Sequence, residues 1–195
     1  MNALSINYGL APEHVCPEGV EDCERVLKTL SEKAAGPVFV AGDSSGCAIA
    51  LAAVMRHRDA RRRMPDAMYF ISPWLDMTLS GDSVVNDNKR CAMLRASGLE
   101  ECAEMYVDSL DAKSVDASPL FGRMSELPPT LIQFGQHDLL RDDAARFAER
   151  LEAADIDHRA ERWQGMFHDF QLYAPVMDEA RTAIKSAGKW LQAQT

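Results

Sequence analysis

A chain of 195 residues, of which 47% are hydrophobic and 26% charged, is long enough to form one domain with a substantial core. Its net charge of −9 argues against nucleic acid as a partner, because such a partner is bound by an excess of basic residues. No apolar run approaches the roughly 18 residues that a membrane-spanning helix requires.

Short apolar runs alternate along the chain with amphipathic segments, the pattern of a parallel sheet whose strands are joined by helices. Four runs are interpreted as strands, and the second is expected to be the most deeply buried because it is continuously apolar. Residues 158–163 (HRAERW) form a more polar fifth candidate, as suits the edge of a sheet. The four runs are residues 3–8 (ALSINY), 37–42 (PVFVAG), 67–72 (AMYFIS) and 130–135 (TLIQFG).

Four helices are predicted from apolar residues that recur at helical spacing. The first is expected to end near Gly36, and the third to begin at Asp142 as its N-cap. The second helix leaves the run PVFVAG and continues into the basic stretch of residues 56–63, which is interpreted as a solvated face. The last helix occupies residues 184–191. This alternation predicts the α/β class, with a mostly parallel sheet covered by helices on both faces.

Residues 77–129 interrupt the alternation. Turn-forming stretches such as SGDS and NDNK surround a single predicted helix, residues 99–109. The segment is too long for a simple connection, yet it lacks the apolar content for a core of its own. We therefore expect residues 1–195 to form a single domain, in which residues 77–129 make an excursion over the carboxyl edge of the sheet.

The sequence Gly42-Asp43-Ser44-Ser45-Gly46 stands between a predicted strand and a predicted helix. Gly-x-Ser-x-Gly by itself is compatible with an ordinary turn, but in this setting it is typical of a nucleophile elbow. Ser44 is the predicted nucleophile, and the helix N-terminus beneath it favours developing negative charge. The two glycines are expected because a Cβ at either would collide with the neighbouring strand and helix.

A serine nucleophile needs a base and an acid, which in this arrangement follow it in the order acid, then histidine, in loops after later strands. Asp138 lies directly after the run TLIQFG, whereas Asp142 and Asp143 are better explained as the start of the next helix. His168 lies in the loop after HRAERW. The other histidines fit this pattern less well; His57, for example, is assigned to a surface helix.

Six segments in order span nearly the whole chain: INYGLAPEH, VAGDSSG, ISPWLDMTLSG, ASPL, LPPTLIQFGQHDLLRDD and GMFHDFQLY. Through them the sequence resembles the hormone-sensitive-lipase-like α/β-hydrolases, the bacterial family IV esterases, and especially the branch of ε-lactone hydrolases and short-chain acyl esterases. The resemblance implies that Ser44 is the nucleophile, that His168 is the general base and acid, and that Asp138 orients His168. It also implies a small uncharged ester or lactone as substrate.

The resemblance also indicates features that this chain lacks. In the family, the segment matching INYGLAPEH is preceded by a cap, three strands and a His-Gly-Gly motif that supplies most of the oxyanion hole. The backbone N–H of Ser45 is the donor that remains. Residues 3–8 are then expected either to pair with residues 37–42 or to leave an edge that recruits another chain, so we expect a homo-oligomer.

The leading hypothesis is a serine carboxylic-ester hydrolase that acts by acyl transfer and calls for no metal or organic cofactor. The alternative is a catalytically weak or silent homologue that acts by binding or oligomerisation. A third possibility is that Met1 is an internal start.

Five cysteines form neither a Cys-x-x-Cys pair nor a zinc-ligand spacing. Their odd number and the lack of a signal peptide predict reduced thiols and a cytoplasmic location.

Overall fold

The computed structural model describes residues 2–86 and 91–195. Within this part of the chain, four parallel strands form one sheet in the order β1-β2-β3-β4. The strands are β1 (Phe39–Asp43), β2 (Ala67–Ile71), β3 (Thr130–Gly135) and β4 (His158–Trp163). The helices are α1 (Glu18–Lys33), α2 (Gly46–Asp59), α3 (Asp82–Asn86), α4 (Ala96–Val107), α5 (Arg141–Ala153) and α6 (Asp178–Gln192). Two 3-10 turns lie at Pro119–Phe121 and Phe170–Tyr173.

Helices cover both faces of the sheet, which confirms the α/β prediction. Successive strands are neighbours, so right-handed crossovers place the connections between them on one face. The turn Pro119–Phe121 contacts both α2 and α5 on that face. On the other face α6 packs against β3, where the Gln133 side-chain amide donates to the Ala183 carbonyl at 2.9 Å. No helix in residues 2–86 and 91–195 combines the length and the apolar character needed to cross a membrane.

Burial differs between the strands in a way that the sequence pattern did not predict. All six residues of β3 are buried, whereas β1 is only partly buried and its Ala41 and Asp43 are exposed. The expectation that the run PVFVAG is the most deeply buried is therefore wrong. The reason is position, since β3 lies between β2 and β4 while β1 pairs only with β2 in the described chain. The edge position expected of HRAERW is confirmed, because it forms β4.

Residues 3–8 form no strand, so this prediction is wrong. Of the two alternatives expected for them, pairing with residues 37–42 does not occur among the described residues. Leu4 is 66% exposed, and the side chain that joins the fold is Tyr8, which packs against Val20 and Ile49. A short segment is stable as a strand only when a neighbour supplies its ladder and covers one of its faces.

The helix α2 is enclosed rather than exposed. Every residue from 47 to 55 is buried, and His57 is fully buried with its Nε2 2.9 Å from the Arg63 carbonyl oxygen. Arg58 is also buried and donates to the carbonyls of Arg123 and Ser125. Assigning His57 to a surface helix was therefore wrong. The solvated face predicted for residues 56–63 is confirmed for residues 59–61 and 63 but is wrong for Arg58, because the end of the 77–129 segment accepts its hydrogen bonds.

Two expected helix boundaries also differ. The helix α1 ends at Lys33 and is capped by Ala34, before Gly36 is reached. The helix α5 begins at Arg141, and the Asp142 carboxylate accepts the Ser83 N–H instead of capping its own helix.

The segment of residues 77–129 runs from the carboxyl edge of the sheet to the amino end of β3. At the carboxyl edge the Ser83 hydroxyl donates to the Leu139 carbonyl. The helix predicted over residues 99–109 is α4, which begins and ends slightly earlier. Most of the predicted turn NDNK lies outside the described residues. These contacts with the rest of the fold support our proposal that residues 1–195 form one domain.

Candidate active site

Ser44 directly follows β1 and stands two residues before α2. Its φ is +50°, a left-handed conformation that residues other than glycine seldom adopt. Two backbone hydrogen bonds hold this turn: the Ser44 N–H donates to the Ile71 carbonyl at 3.0 Å, and the Trp74 N–H donates to the Ser44 carbonyl at 3.1 Å. A strained and well-held turn of this kind between strand and helix has the geometry of a nucleophile elbow.

The glycines on either side of Ser44 differ in their surroundings. A Cβ at Gly42 would lie 2.8 Å from the Gly46 carbonyl oxygen and 2.9 Å from the Cys47 nitrogen, so the expected collision exists there. A Cβ at Gly46 would meet nothing nearer than the Tyr8 hydroxyl at 3.8 Å. The collision predicted at Gly46 does not occur, so that prediction is wrong. This position faces open space beside Tyr8 and not a packed strand.

The structure brings Ser44, His168 and Asp138 together. His168 Nε2 lies 3.1 Å from Ser44 Oγ, and His168 Nδ1 lies 3.1 Å from each carboxylate oxygen of Asp138. Asp138 is fully buried, and His168 is 3% exposed. The arrangement can pass a proton from a hydroxyl to an imidazole whose other nitrogen is held by a carboxylate.

The loops that carry Asp138 and His168 are pinned to each other. The His137 N–H donates to the Met166 carbonyl at 2.8 Å. A Cβ at Gly135 would lie only 2.5 Å from the same carbonyl oxygen, so glycine is needed where β3 ends. The Asp138 carboxylate also accepts the Leu140 N–H at 2.9 Å, which fixes its orientation. Sequence reasoning missed Gly135; a glycine that ends a strand was the available signal.

Sequence reasoning also missed Asp169, whose Oδ2 lies 3.2 Å from His168 Nε2. Asp169 is 5% exposed, has a φ of +50°, and donates its N–H to the buried Ser72 hydroxyl at 3.0 Å. Its Oδ1 has no hydrogen-bond partner among the described residues. The signal available in the sequence was an acid directly after the candidate base.

The carboxylates determine the electrostatics of the site. Burial lowers the pKa of His168, but the hydrogen bonds to Asp138 and Asp169 and their charges outweigh it and raise that pKa to about 10. Burial, followed by the charge of Asp169, raises the pKa of Asp43. Burial also raises the pKa of the Cys47 thiol well above its ordinary value, so this thiol stays protonated beside the elbow.

A cavity of about 330 Å³ adjoins the site on the α6 face of β1 and β2. Asp43 and Asp169 lie on its wall together with apolar side chains such as Leu172 and Ile184. Ser45 is exposed and is the N-cap residue of α2, and its N–H has no hydrogen-bond partner in the described part of the chain. This N–H is available as a donor at the positive end of the helix.

Comparison with known proteins places the chain in a family. Residues 1–172 match the family described as alpha/beta hydrolase fold. An acetyl-hydrolase of Streptomyces hygroscopicus is 37% identical over 194 residues, covering 98% of this chain and 65% of that protein. An esterase of Acinetobacter venetianus is 33% identical over 187 residues, covering 94% of this chain and 62% of that protein.

Solved structures agree. The crystal structure of a hormone-sensitive lipase from a metagenome library superposes with a TM-score of 0.93 at 32% identity, covering 97% of this chain and 66% of that one. The chain thus spans between 62% and 66% of the length of these three relatives. The chain belongs to the hormone-sensitive-lipase-like family of α/β-hydrolases.

Proposed function

We propose that this protein hydrolyses carboxylic esters, with Ser44 as nucleophile, His168 as general base and acid, and Asp138 as the residue that orients His168. The observation that carries the proposal is the unbroken line of contacts from Ser44 Oγ through the His168 ring to the buried Asp138 carboxylate. The names of the relatives, an acetyl-hydrolase and an esterase, support the same reaction class.

The reaction follows from these positions. Ser44 Oγ forms a bond to the ester carbonyl carbon while His168 Nε2 takes the hydroxyl proton. The tetrahedral intermediate then breaks its bond to the alcohol oxygen, which leaves with the proton from His168 and yields an acyl-enzyme. Water attacks the acyl carbon, His168 takes its proton, and the carboxylic acid departs as Ser44 regains its hydrogen. Asp138 stabilises the imidazolium that forms in each half-reaction.

The oxyanion needs hydrogen-bond donors, and we propose the Ser45 N–H as one of them. It lies directly after the nucleophile, at the positive end of α2. The 195 residues contain no His-Gly-Gly, the motif that the family resemblance implies as a source of further donors. Loss of one oxyanion donor costs about 10²–10³ in kcat, so the rate of turnover depends on donors besides the Ser45 N–H.

The proposed substrate is a small uncharged ester or lactone. The neighbouring cavity of about 330 Å³ has mostly apolar walls that suit a short acyl chain. Asp43 and Asp169 line the same space, and their negative charges disfavour an anionic substrate.

Hydrolysis of p-nitrophenyl butyrate tests the proposal, with Ser44→Ala as the subtracted blank. We expect the native protein to exceed this blank and Ser44→Ala to match buffer. Ser31→Ala is the matched control, because within the described residues this hydroxyl hydrogen-bonds to the Lys28 carbonyl alone, and it should behave as the native protein does. Equal turnover by the native and Ser44→Ala proteins would show that Ser44 is not the nucleophile.

The second candidate is a homologue with little or no catalysis that acts by binding, and it is favoured by the contact of Asp169 Oδ2 with His168 Nε2, the nitrogen that must accept the Ser44 proton. Labelling of Ser44 by a fluorophosphonate separates the two functions, because it needs the nucleophile and its base but no ester turnover. Stoichiometric labelling with hydrolysis no faster than the blank would support the binding function. Labelling together with turnover would support the esterase.

A further inference from the structure

His168 Nε2 has two neighbours that compete for it. Ser44 Oγ lies at 3.1 Å and Asp169 Oδ2 at 3.2 Å. A ring nitrogen carries at most one hydrogen, and an ionised carboxylate only accepts hydrogen bonds. The two neighbours therefore favour different protonation states of the ring, because the Ser44 hydroxyl can donate to a bare Nε2 whereas Asp169 needs an N–H.

The contact with Asp169 is built into the loop. The Asp169 N–H donates to the Ser72 hydroxyl, and Ser72 is itself fully buried and donates its N–H to the Gln133 carbonyl at 2.8 Å. Asp169 also occupies a left-handed conformation and is 5% exposed, so its carboxylate cannot simply turn into solvent. Among the described residues, Asp169 Oδ1 has no hydrogen-bond partner, and Oδ2 contacts His168 Nε2. The protonated His168 ring is therefore the cation that stabilises this carboxylate.

The titratable groups that face His168 come from several elements. Asp138 lies in the loop after β3, Asp43 at the end of β1 and Asp169 in the loop of His168 itself. Cys47 of α2 lies close to Asp43 and Asp169 and stays a neutral thiol. Asp138 contacts Nδ1 and Asp169 contacts Nε2 of the ring. When the ring is doubly protonated, each of its N–H groups therefore donates to a carboxylate.

We propose that Asp169 is a positioning residue, which holds a proton on His168 Nε2 and thereby determines the pH above which His168 can accept the proton of Ser44. The catalytic consequence rests on the proposed esterase function. Below that pH, Asp169 keeps the base occupied and slows the reaction. Above it, once the ring is neutral, the same carboxylate stabilises the imidazolium that forms as Ser44 attacks.

The test is an NMR titration of the His168 ring in the native protein and in Asp169→Asn, and it needs no activity. Asparagine retains the shape of the side chain and tolerates a positive φ, while the negative charge is removed. The His168 signals are assigned by their loss in His168→Gln. We expect His168 in Asp169→Asn to titrate at least about one pH unit lower than in the native protein.

Two further variants control this result. Asp43→Asn removes a neighbouring charge that makes no hydrogen bond to His168, and we expect it to shift the titration by less than half as much. Asp169→Gly removes the carboxylate and suits a φ of +50°, so it replaces Asp169→Asn if circular dichroism shows that variant to be unfolded. An unchanged His168 titration in a folded Asp169 variant would overturn the proposal.

The pH profile of kcat/KM for p-nitrophenyl butyrate supplies the catalytic readout. We expect the acid limb in Asp169→Asn to move to lower pH by the same amount as the titration, about tenfold in kcat/KM per unit below the pKa. If Asp169 had only a structural role, Asp169→Asn would lower kcat/KM by the same factor at every pH, and the acid limb would stay at the same pH. A shifted titration without hydrolysis by any form of the protein would refute the esterase function and leave the positioning role standing.

Discussion

At the scale of single residues, His168 shows how far neighbours can oppose burial. A histidine that is 3% exposed would ordinarily lose its charge, yet two carboxylates within 3.2 Å make the charged ring the favoured form. Its pKa is raised from 6.5 to about 10. A raised folded-state pKa contributes stability that is fully present below about pH 6.5 and is lost as the pH rises toward about 10.

We therefore expect the free energy of unfolding to fall between about pH 6.5 and about pH 10, and His168→Gln to lose this part of the pH dependence. Urea unfolding of both proteins across this range measures the difference, and groups that titrate in both proteins cancel from it. A parallel decline in the native protein and in His168→Gln would show that another group is responsible.

At the scale of elements, α2 is stabilised by the segment that packs over it. The buried Arg58 guanidinium joins the end of α2 to the carbonyls of Arg123 and Ser125, shortly before β3 begins. Long side chains of this kind combine apolar packing of the stem with hydrogen bonds of the head. Arg58 is therefore part of the internal structure, and it connects the 77–129 segment to the helix that follows Ser44.

We expect Arg58→Met to lower the free energy of unfolding by about 1–3 kcal/mol, because the apolar stem is retained while buried carbonyls lose their donor. Arg25→Met is the control on α1, where the arginine side chain is 73% exposed and pairs with Asp22 at the surface. This control should change stability by less than about 1 kcal/mol. Similar losses in both variants, measured by urea unfolding, would argue against a specific role for Arg58.

At the scale of the whole molecule, the outer edge of the sheet and the part of its α6 face beside β1 and β2 are incompletely covered within the described chain. The outer edge of β1 pairs with no strand there, and the cavity beside β1 and β2 is lined by Leu172 and Ile184, which are 67% and 45% exposed. Unpaired strand edges and contiguous apolar surface both favour association. Oligomerisation stays a prediction.

We expect the native protein to self-associate with rising concentration in sedimentation velocity, and Ala41→Lys to reduce this association. Ala41 is exposed on β1, and lysine on an edge strand discourages pairing with another strand. Leu110→Lys is the control, since it adds the same charge beyond the end of α4. A native protein that remains monomeric at every concentration would rule out the edge as an interface.

The sequence by itself determined the fold class, the course of four strands and the three residues that meet at the candidate site. The reason is local: a strand that runs through Gly42 into Ser44 and a helix is a pattern of neighbouring residues, and parallel strands bring the loops with Asp138 and His168 to the same edge. The approximate positions of the main helices followed in the same way from their periodicity.

The tertiary structure decided what depends on residues far apart in the chain. Residues 3–8 have strand-like composition but form no strand, because no strand pairs with them. Arg58 carries no sign of burial in its own helix, and it is buried where the carbonyls of Arg123 and Ser125 accept its hydrogen bonds. The contact of Asp169 with His168 depends on the left-handed turn that Ser72 holds from another strand end. The periodicity of a segment is a property of its own residues, whereas their burial and protonation depend on the residues that the fold packs against them.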